Sequence, residues 1–196
     1  MQSGASAGPY APAQVIESIQ YSNIDEKWLT GGIRITDFGE SFFINGPPPK
    51  SLGTPASYLA PEMAFGRPAS VASDVWALVC LTFELQASRP LICLFFGRVD
   101  EALAETVHTL GPLPKAWRES YIDKTRITKF QPGQKDPLFD PIDMRHPLEH
   151  LVSIIKPQLS TEETANFLAF LRGALEYEPS ARLSAKQLVM HPWLVS

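Results

Sequence analysis

A carboxylate, an aromatic ring and a glycine follow one another in the stretch IRITDFGESF, which spans residues 33–42. The sequence predicts a short strand over residues 33–36, with Asp37 directly after it. Gly39 gives the backbone the freedom to turn behind this acid. A carboxylate in such a place can hold a cation through its oxygens. It can also be a solvated acid in a turn, and these residues alone leave both interpretations open.

Three further motifs follow Asp37 at wide separations. They are Ala60-Pro61-Glu62, then Asp74-Val75-Trp76, then Arg182 shortly before His191-Pro192-Trp193. Each motif is short enough to occur by chance in many chains. Their fixed order along one chain is harder to explain by chance, so we interpret the four motifs together.

The elements that must position these motifs are mainly helical from Pro61 onward. Residues 73–86 open with two good N-cap types and are apolar on nearly all sides, which predicts a central buried helix. A second helix is expected to start at Asp100 and stop at Gly111. Two capping boxes predict later helix starts, Ser160 with Glu163 and Ser184 with Gln187, and Pro192 is expected to stop the last helix.

The N-terminal part is expected to differ from this helical body. Residues 1–30 are predicted to be a poorly ordered leader, and residues 40–44 a second short strand that forms a β-hairpin with the first. Residues 45–50 are expected to form a loop because consecutive prolines cannot donate to a strand ladder. The Pro- and Asp-rich residues 120–147 are expected to form an irregular loop. The predicted fold class is therefore mainly α, with a short β-hairpin and a central buried helix.

Composition limits the class of protein. The 196 residues are the size of one domain, 44% of them are hydrophobic, and the net charge of −4 argues against a nucleic-acid binder. The longest apolar run is far shorter than the roughly 20 residues of a membrane span. No signal or transit peptide is recognisable, so we expect a cytoplasmic or nuclear protein without nucleic-acid or membrane partners. Cys80 and Cys93 are both expected to be buried reduced thiols.

With these motifs in this order, the chain resembles the C-terminal lobe of a eukaryotic Ser/Thr protein kinase. The stretch GTPASYLAPE, residues 53–62, is similar to the end of a kinase activation segment. The stretch LFFGRVDEALAETVHTLGPLP, residues 94–114, looks most like the SR-protein-kinase-like branch, and DFGESF suits its fungal members. The resemblance covers residues 31–196, which implies a partial protein kinase domain from the Asp-Phe-Gly strand onward.

The resemblance implies a role for each motif. Asp37 would bind the Mg²⁺ that bridges ATP phosphates, with Phe38 packed under the helix that joins the lobes. Phe38 could equally be an ordinary core aromatic. Glu62 and Arg182 would form a buried structural ion pair. Asp74 would accept backbone N–H groups of a catalytic loop, although it could also be a plain helix N-cap.

The remaining candidate residues lie in the activation segment and beside Asp74. Thr54 and Tyr58 belong to the end of that segment, where their spacing is one residue longer than in many Ser/Thr kinases. This puts the usual contact of the threonine with the catalytic base in question. Trp76 completes the Asp74 motif as a structural residue of the central helix.

Several catalytic parts of the family are not found in the sequence. There is no Gly-rich G-x-G-x-x-G loop, no phosphate-binding lysine strand and no His-x-Asp loop, since the first histidine is His108. Asp25 lacks the flanking residues of a catalytic base. Two hypotheses follow. In one, the chain is an incomplete Ser/Thr kinase that is inactive alone. The resemblance then implies ATP, Mg²⁺ and a protein substrate, which in the SR-protein-kinase-like branch is Arg/Ser-rich. In the other, it is a degenerate kinase lobe that binds proteins without catalysis. A third hypothesis is an unrelated helical domain in which these motifs occur by chance.

Overall fold

The computed structural model describes residues 24, 25, 27, 31–47, 49, 52–118, 147–155 and 159–195. The chain divides into two compact units, Met1–Gly39 and Glu40–Ser196. Most of the predicted leader and nearly all of the predicted loop at 120–147 lie outside the described residues. No helix of the described residues has the length and apolar content that crossing a bilayer requires.

The predicted β-hairpin is not found. Residues 32–37 of the first unit have no regular secondary structure, and residues 40–44 of the second unit form no strand either. Ile33 and Ile35 are 98% and 81% exposed. A strand exists only when its backbone groups pair with a neighbour, and no such ladder includes either stretch. The β-type residues of IRIT therefore form no strand among the described residues.

The second unit is mainly helical. Its α-helices are α1 (Pro61–Ala64), α2 (Val71–Ala87), α3 (Val99–Leu110), α4 (Leu148–Ser153), α5 (Thr161–Ala174), α6 (Ala185–Leu188) and α7 (Pro192–Val195). Short 3-10 turns occur at Phe38–Glu40, Ala56–Tyr58 and Pro179–Ala181. The fold class predicted from sequence is confirmed as mainly α, without its hairpin.

Helix ends follow the predicted chemistry in most places. The Ser160 hydroxyl accepts from the Glu163 N–H at 3.2 Å while the Glu163 carboxylate accepts from the Ser160 N–H at 2.7 Å. Ser184 and Gln187 form the same reciprocal box, so both predicted helix starts are confirmed. Gly111 closes α3 with a φ of +99°, a conformation that glycine adopts readily. Pro192 does not stop α6, which ends earlier at Leu188; it begins α7, where its missing N–H is not needed.

Helix α2 supplies the centre of the main hydrophobic core. It starts at Val71 rather than at the predicted residue 73, because Ser70 is its N-cap. Its buried face packs against α5, where the Phe83 ring stacks 6.4 Å from the Phe167 ring, and buried residues of α4 belong to the same core. Buried residues on this face are Val75, Trp76, Val79, Cys80 and Phe83.

The prediction that α2 is buried on all sides is wrong. Four of its apolar side chains, Val71, Leu78, Leu81 and Leu85, are exposed. The helix is apolar all round, but the described residues cover only one of its faces. The cysteine prediction fails at one position for a similar reason: Cys80 lies on the covered face, where burial raises the pKa of its thiol to about 12, whereas Cys93 lies in an exposed loop.

A second, smaller core joins α1 to α3. The Phe65 and Trp117 rings meet edge to face with centroids 5.2 Å apart, and Tyr177 packs on the other side of Trp117. The Tyr177 hydroxyl donates to the Gly111 carbonyl at 2.7 Å, and its burial raises the pKa of the phenol. The Glu178 carboxylate accepts from the Trp117 indole N–H at 3.1 Å. The loop after α5 is thereby attached to the end of α3.

A buried ion pair between Glu62 and Arg182 joins both cores. Arg182 Nη1 donates to Glu62 Oε1 at 2.7 Å and Nη2 donates to Oε2 at 2.5 Å, so the contact is bidentate. The two side chains are 2% and 1% exposed. The Ser73 hydroxyl also donates to Glu62 Oε1, at 3.0 Å. The carboxylate of α1 is thus tied to the first turn of α2 as well as to Arg182.

The guanidinium of Arg182 uses all of its donors. Besides the two bonds to Glu62, it donates to three backbone carbonyls, those of Ala72 at 2.9 Å, Glu176 at 2.7 Å and Tyr177 at 3.2 Å. Five bonds match the five N–H groups of arginine. The guanidinium also lies 5.0 Å from the centre of the Trp76 ring. The charge is therefore buried without an unsatisfied donor.

Replacing Arg182 by methionine is expected to lower the free energy of unfolding by about 3–5 kcal/mol, because it leaves the Glu62 carboxylate buried and unpaired. Chemical denaturation followed by circular dichroism measures this change. The matched control is Arg172→Met, which breaks the half-exposed pair with Glu149 on α4 and should lower it by less than about 1 kcal/mol. If both variants lower the free energy of unfolding equally, the buried ion pair stabilises the fold no more than the half-exposed pair does.

Gly173 in α5 is expected to resist substitution by alanine. A Cβ there would lie 2.5 Å from Leu183 Cδ1 and 3.0 Å from Cγ, while the Leu183 N–H donates to the Gly173 carbonyl at 2.7 Å. Alanine normally favours a helix over glycine by about 1 kcal/mol, but the displaced leucine should reverse this and lower the free energy of unfolding by about 1 kcal/mol.

A double-mutant cycle with Leu183→Ala tests the cause. In that background the clash is gone, so Gly173→Ala should become neutral or stabilising when unfolding is measured by denaturant titration. If Gly173→Ala has the same effect in both backgrounds, the contact with Leu183 does not decide it.

Candidate functional site

The candidate site begins at Asp37 in the first unit. Its backbone φ is +62°, in the left-handed region that non-glycine residues rarely occupy. Aspartate tolerates this conformation better than most residues. The residue is exposed and follows residues 32–36, which have no regular secondary structure. Its carboxylate is accessible to solvent, which suits either a metal ligand or a turn acid.

The described residues do not by themselves form a magnesium site. No group of three or more histidine, cysteine, aspartate or glutamate side chains comes together as a metal-binding cluster within the described part of the chain. Mg²⁺ gives up its water reluctantly and is held by several oxygen ligands in octahedral geometry. Asp37 alone does not fit that requirement, so no phosphoryl-transfer step is assigned to these residues.

Phe38 lies in the short turn Phe38–Glu40, and its side chain is 66% exposed. That exposure does not fit an ordinary core aromatic. Its packing under the helix that joins the lobes stays a prediction. Gly39 is also exposed, and its φ is not in the left-handed region, which Asp37 occupies instead.

The end of the predicted activation segment, which belongs to the second unit, is held by side-chain contacts at several points. The Gly53 N–H donates to Glu40 Oε2 at 2.9 Å. Thr54 follows and is half-buried. The segment then makes the turn Ala56–Tyr58 and enters α1, where Glu62 pairs with Arg182.

Tyr58 fastens this turn to the central helix. Its hydroxyl donates to the Glu84 carboxylate of α2 in a short hydrogen bond. That bond is the main reason that the pKa of Tyr58 is raised to about 12, with burial and the nearby negative charge adding to it. The phenol therefore stays protonated at neutral pH and remains a donor. Sequence reasoning missed Glu84, although a single acid within the apolar run VCLTFEL was a usable signal.

Asp74 and Trp76 lie on opposite faces of the first turns of α2. Asp74 is exposed and is not the N-cap, since Ser70 holds that position. The plain N-cap interpretation of Asp74 is therefore wrong. Trp76 is fully buried under the Arg182 guanidinium, and its indole N–H has no hydrogen-bond partner among the described residues.

A pocket of about 380 Å³ lies beside the loop that leads into α3. Glu101 organises this loop, because its carboxylate accepts from the backbone N–H groups of Phe95 at 2.5 Å and Phe96 at 3.0 Å. These bonds lower the pKa of the Glu101 carboxyl. The lining combines apolar and charged side chains: Arg89, Leu91, Cys93, Leu94, Phe95, Glu101, Glu105, Thr109 and Leu151. Sequence reasoning missed Glu101, although an acid three residues into a helix is a common capping position.

Comparisons with known proteins relate the chain to protein kinases. Residues 19–194 match the protein kinase domain family. The chain is 29% identical to the dual specificity tyrosine-phosphorylation-regulated kinase 4 of Homo sapiens, over 83% of this chain and 30% of that protein. It is 26% identical to SRSF protein kinase 3 of Mus musculus, over 83% of this chain and 28% of that protein. It is 28% identical to the serine/threonine-protein kinase SKY1 of Saccharomyces cerevisiae, over 83% of this chain and 22% of that protein.

The chain thus spans less than a third of the length of the relatives it matches. These relatives include SR-type serine/threonine kinases, as the resemblance in residues 94–114 implied. The family match extends over most of the 196 residues and includes all four motifs. This chain belongs to the protein kinase domain family, with a resemblance to the SR-protein kinases.

Proposed function

We propose that this chain is the C-terminal, helical part of a Ser/Thr protein kinase that transfers phosphate from ATP to a protein, and that it is inactive alone. The observation that carries the proposal is that residues 53–62 are held at three points. Gly53 is bonded to Glu40, and the segment is attached to the helical body through Glu84 and Arg182. In a kinase this segment holds the protein substrate. A segment that is fixed at three points provides the stable surface that substrate positioning requires.

The inactivity of the isolated chain follows from the parts it does not contain. Phosphoryl transfer depends on charge neutralisation and positioning by several groups at once. The sequence has no G-x-G-x-x-G loop and no histidine before His108, so neither the phosphate cover nor a His-x-Asp catalytic loop is present. Groups that act as a unit lose nearly all of their effect when several are missing.

Asp37 and Asp74 would acquire their roles in a complete domain. Asp37 would bind Mg²⁺ together with a second ligand from the catalytic loop. Asp74, which is exposed and is not used as a helix cap, would accept backbone N–H groups of that loop. The exposure of both carboxylates supports these roles, since each is free of the tight ion pairing that holds Glu62.

The proposed substrate is an Arg/Ser-rich protein. The support is the resemblance to the SR-protein kinases and the acidic character of the chain, whose net charge is −4. A cationic segment would be attracted to such a surface. The alternative function is a protein-binding module without catalysis. This function is also supported by the attachment of residues 53–62 and by the missing catalytic groups.

Transcript sequencing followed by a kinase assay distinguishes the two functions. We expect an in-frame upstream region that encodes a phosphate lysine and a His-x-Asp loop. The longest product should phosphorylate an Arg/Ser peptide from radiolabelled ATP, whereas residues 1–196 alone should give no signal above the blank. Asp37→Ala in the longest product should abolish the signal, because the metal loses a carboxylate ligand.

Asp100→Ala is the matched control, since Asp100 is an exposed acid that pairs with Arg98 on the surface of α3. It should leave phosphorylation unchanged. Absence of an upstream kinase region, or an inactive longest product, would overturn the enzymatic proposal in favour of the binding module. Activity of residues 1–196 alone would overturn the proposed inactivity.

A further inference from the structure

The carboxylate of Glu40 holds the first residue of the segment that the proposed function assigns to the substrate. Its Oε2 accepts from the Gly53 N–H at 2.9 Å, across 13 positions of sequence. A Cβ at residue 53 would lie 3.6 Å from both Cδ and Oε1 of Glu40, which is an ordinary van der Waals distance. Both residues belong to the second unit. The carboxylate therefore lies beside the backbone of Gly53 as well as accepting from its N–H.

This contact holds the segment where the chain enters it. Gly53 and Thr54 have no regular secondary structure, and the turn Ala56–Tyr58 begins two residues later. Among the described residues, the next backbone hydrogen bonds along the chain are those that join Pro55 to Tyr58 and Ala56 to Leu59. The backbone of residue 53 is therefore held by a side chain rather than by a helix or a strand ladder.

The charge of Glu40 is directed to this N–H rather than to a cation. No ion pair within the described part of the chain includes Glu40. Hydrogen bonds to an ionised acceptor are roughly twice as strong as those between neutral groups. Tyr58 and Glu62 attach the later part of the segment to the helical body. Glu40 thus holds the beginning of the segment, and the helical body holds its end.

We propose that Glu40 is a positioning residue, which fixes Gly53 and Thr54 and thereby orders the substrate-holding surface before the substrate arrives. The inference rests on the proposed function of residues 53–62 and adds the residue that controls how tightly they bind. A surface that is already ordered loses less freedom on binding and so binds more tightly. Glu40 touches no reacting group in this role. Its loss should therefore weaken binding of the substrate peptide without slowing the transfer step.

The hydrogen bond is tested on residues 1–196 by amide hydrogen exchange at Gly53, followed by NMR. Glu40→Ala should raise the exchange rate of this N–H by about fivefold, which is the loss expected for one hydrogen bond. Glu40→Gln should raise it by only about twofold, because its amide oxygen still accepts. Glu162→Ala is the matched control, since Glu162 is an exposed glutamate in the first turn of α5, and it should leave the rate unchanged. Equal exchange at Gly53 in the unmodified chain and in Glu40→Ala would overturn the proposal.

The effect on binding is measured with an Arg/Ser peptide. In the longest product, Glu40→Ala should raise the KM for the peptide by about fivefold and keep kcat within about twofold, and Glu40→Gln should recover most of the affinity. If that product is inactive, the dissociation constant of the same peptide from residues 1–196, measured by fluorescence anisotropy, takes the place of KM. An unchanged KM or dissociation constant in Glu40→Ala would overturn the positioning role, as would a loss confined to kcat. Failure of both chains to bind the peptide would overturn the proposed function instead, and the exchange rate at Gly53 then decides alone whether Glu40 holds the segment.

A double-mutant cycle at Gly53 isolates the bond. Gly53→Pro removes the N–H that Glu40 accepts, so Glu40→Ala should have no further effect on peptide affinity in that background. Gly53→Ala keeps the N–H and its Cβ fits beside Glu40 at 3.6 Å, so Glu40→Ala should retain its full effect there. Circular dichroism verifies that each variant is folded. Additive effects of Glu40→Ala and Gly53→Pro would overturn the proposal, because Glu40 would then act through another contact.

Discussion

The buried ion pair between Glu62 and Arg182 is the interaction on which the helical unit depends. One arginine connects α1, the first turn of α2 and the loop at residues 176–182 through five hydrogen bonds. The partners are 120 residues apart in the sequence, so the pair holds together parts of the chain that local structure could not join. Because both side chains are buried, removing either one would leave the other as an unpaired buried charge, which is strongly unfavourable.

Helix α2 connects the ion pair to other parts of the helical unit. Its first turn contacts the ion pair through Ser73 and the Ala72 carbonyl, and its last turns hold the Tyr58 hydroxyl through Glu84. The same helix packs against α5 on one face, and the described residues leave leucines exposed on the other. The segment that is proposed to hold substrate is thus attached to a helix that is covered on one face by the described part of the chain.

Sequence reasoning succeeded where the signal was local or repeated. Caps at Ser160 and Ser184 depend on groups three residues apart, and their predictions are confirmed. The mainly helical class followed from apolar periodicity. Predictions from sequence failed where the outcome depended on a distant neighbour. Residues 33–36 have strand-forming side chains but no paired strand. Helix α2 has leucines of the type found in cores, but the described residues leave them exposed. The partners of Tyr58 and of the loop before α3, Glu84 and Glu101, were missed because a single acid in a sequence does not reveal which donor it will meet.

The long sequence separation of Glu62 and Arg182 has a consequence during synthesis of the protein on the ribosome. At synthesis rates of about 5–20 residues per second, roughly 6–24 s pass between the emergence of the carboxylate and that of its arginine. During this interval α1 and α2 have been made, but the loop at residues 176–182 that fastens them has not. The buried face of α2 therefore lacks its packing partner until α5 has also been made.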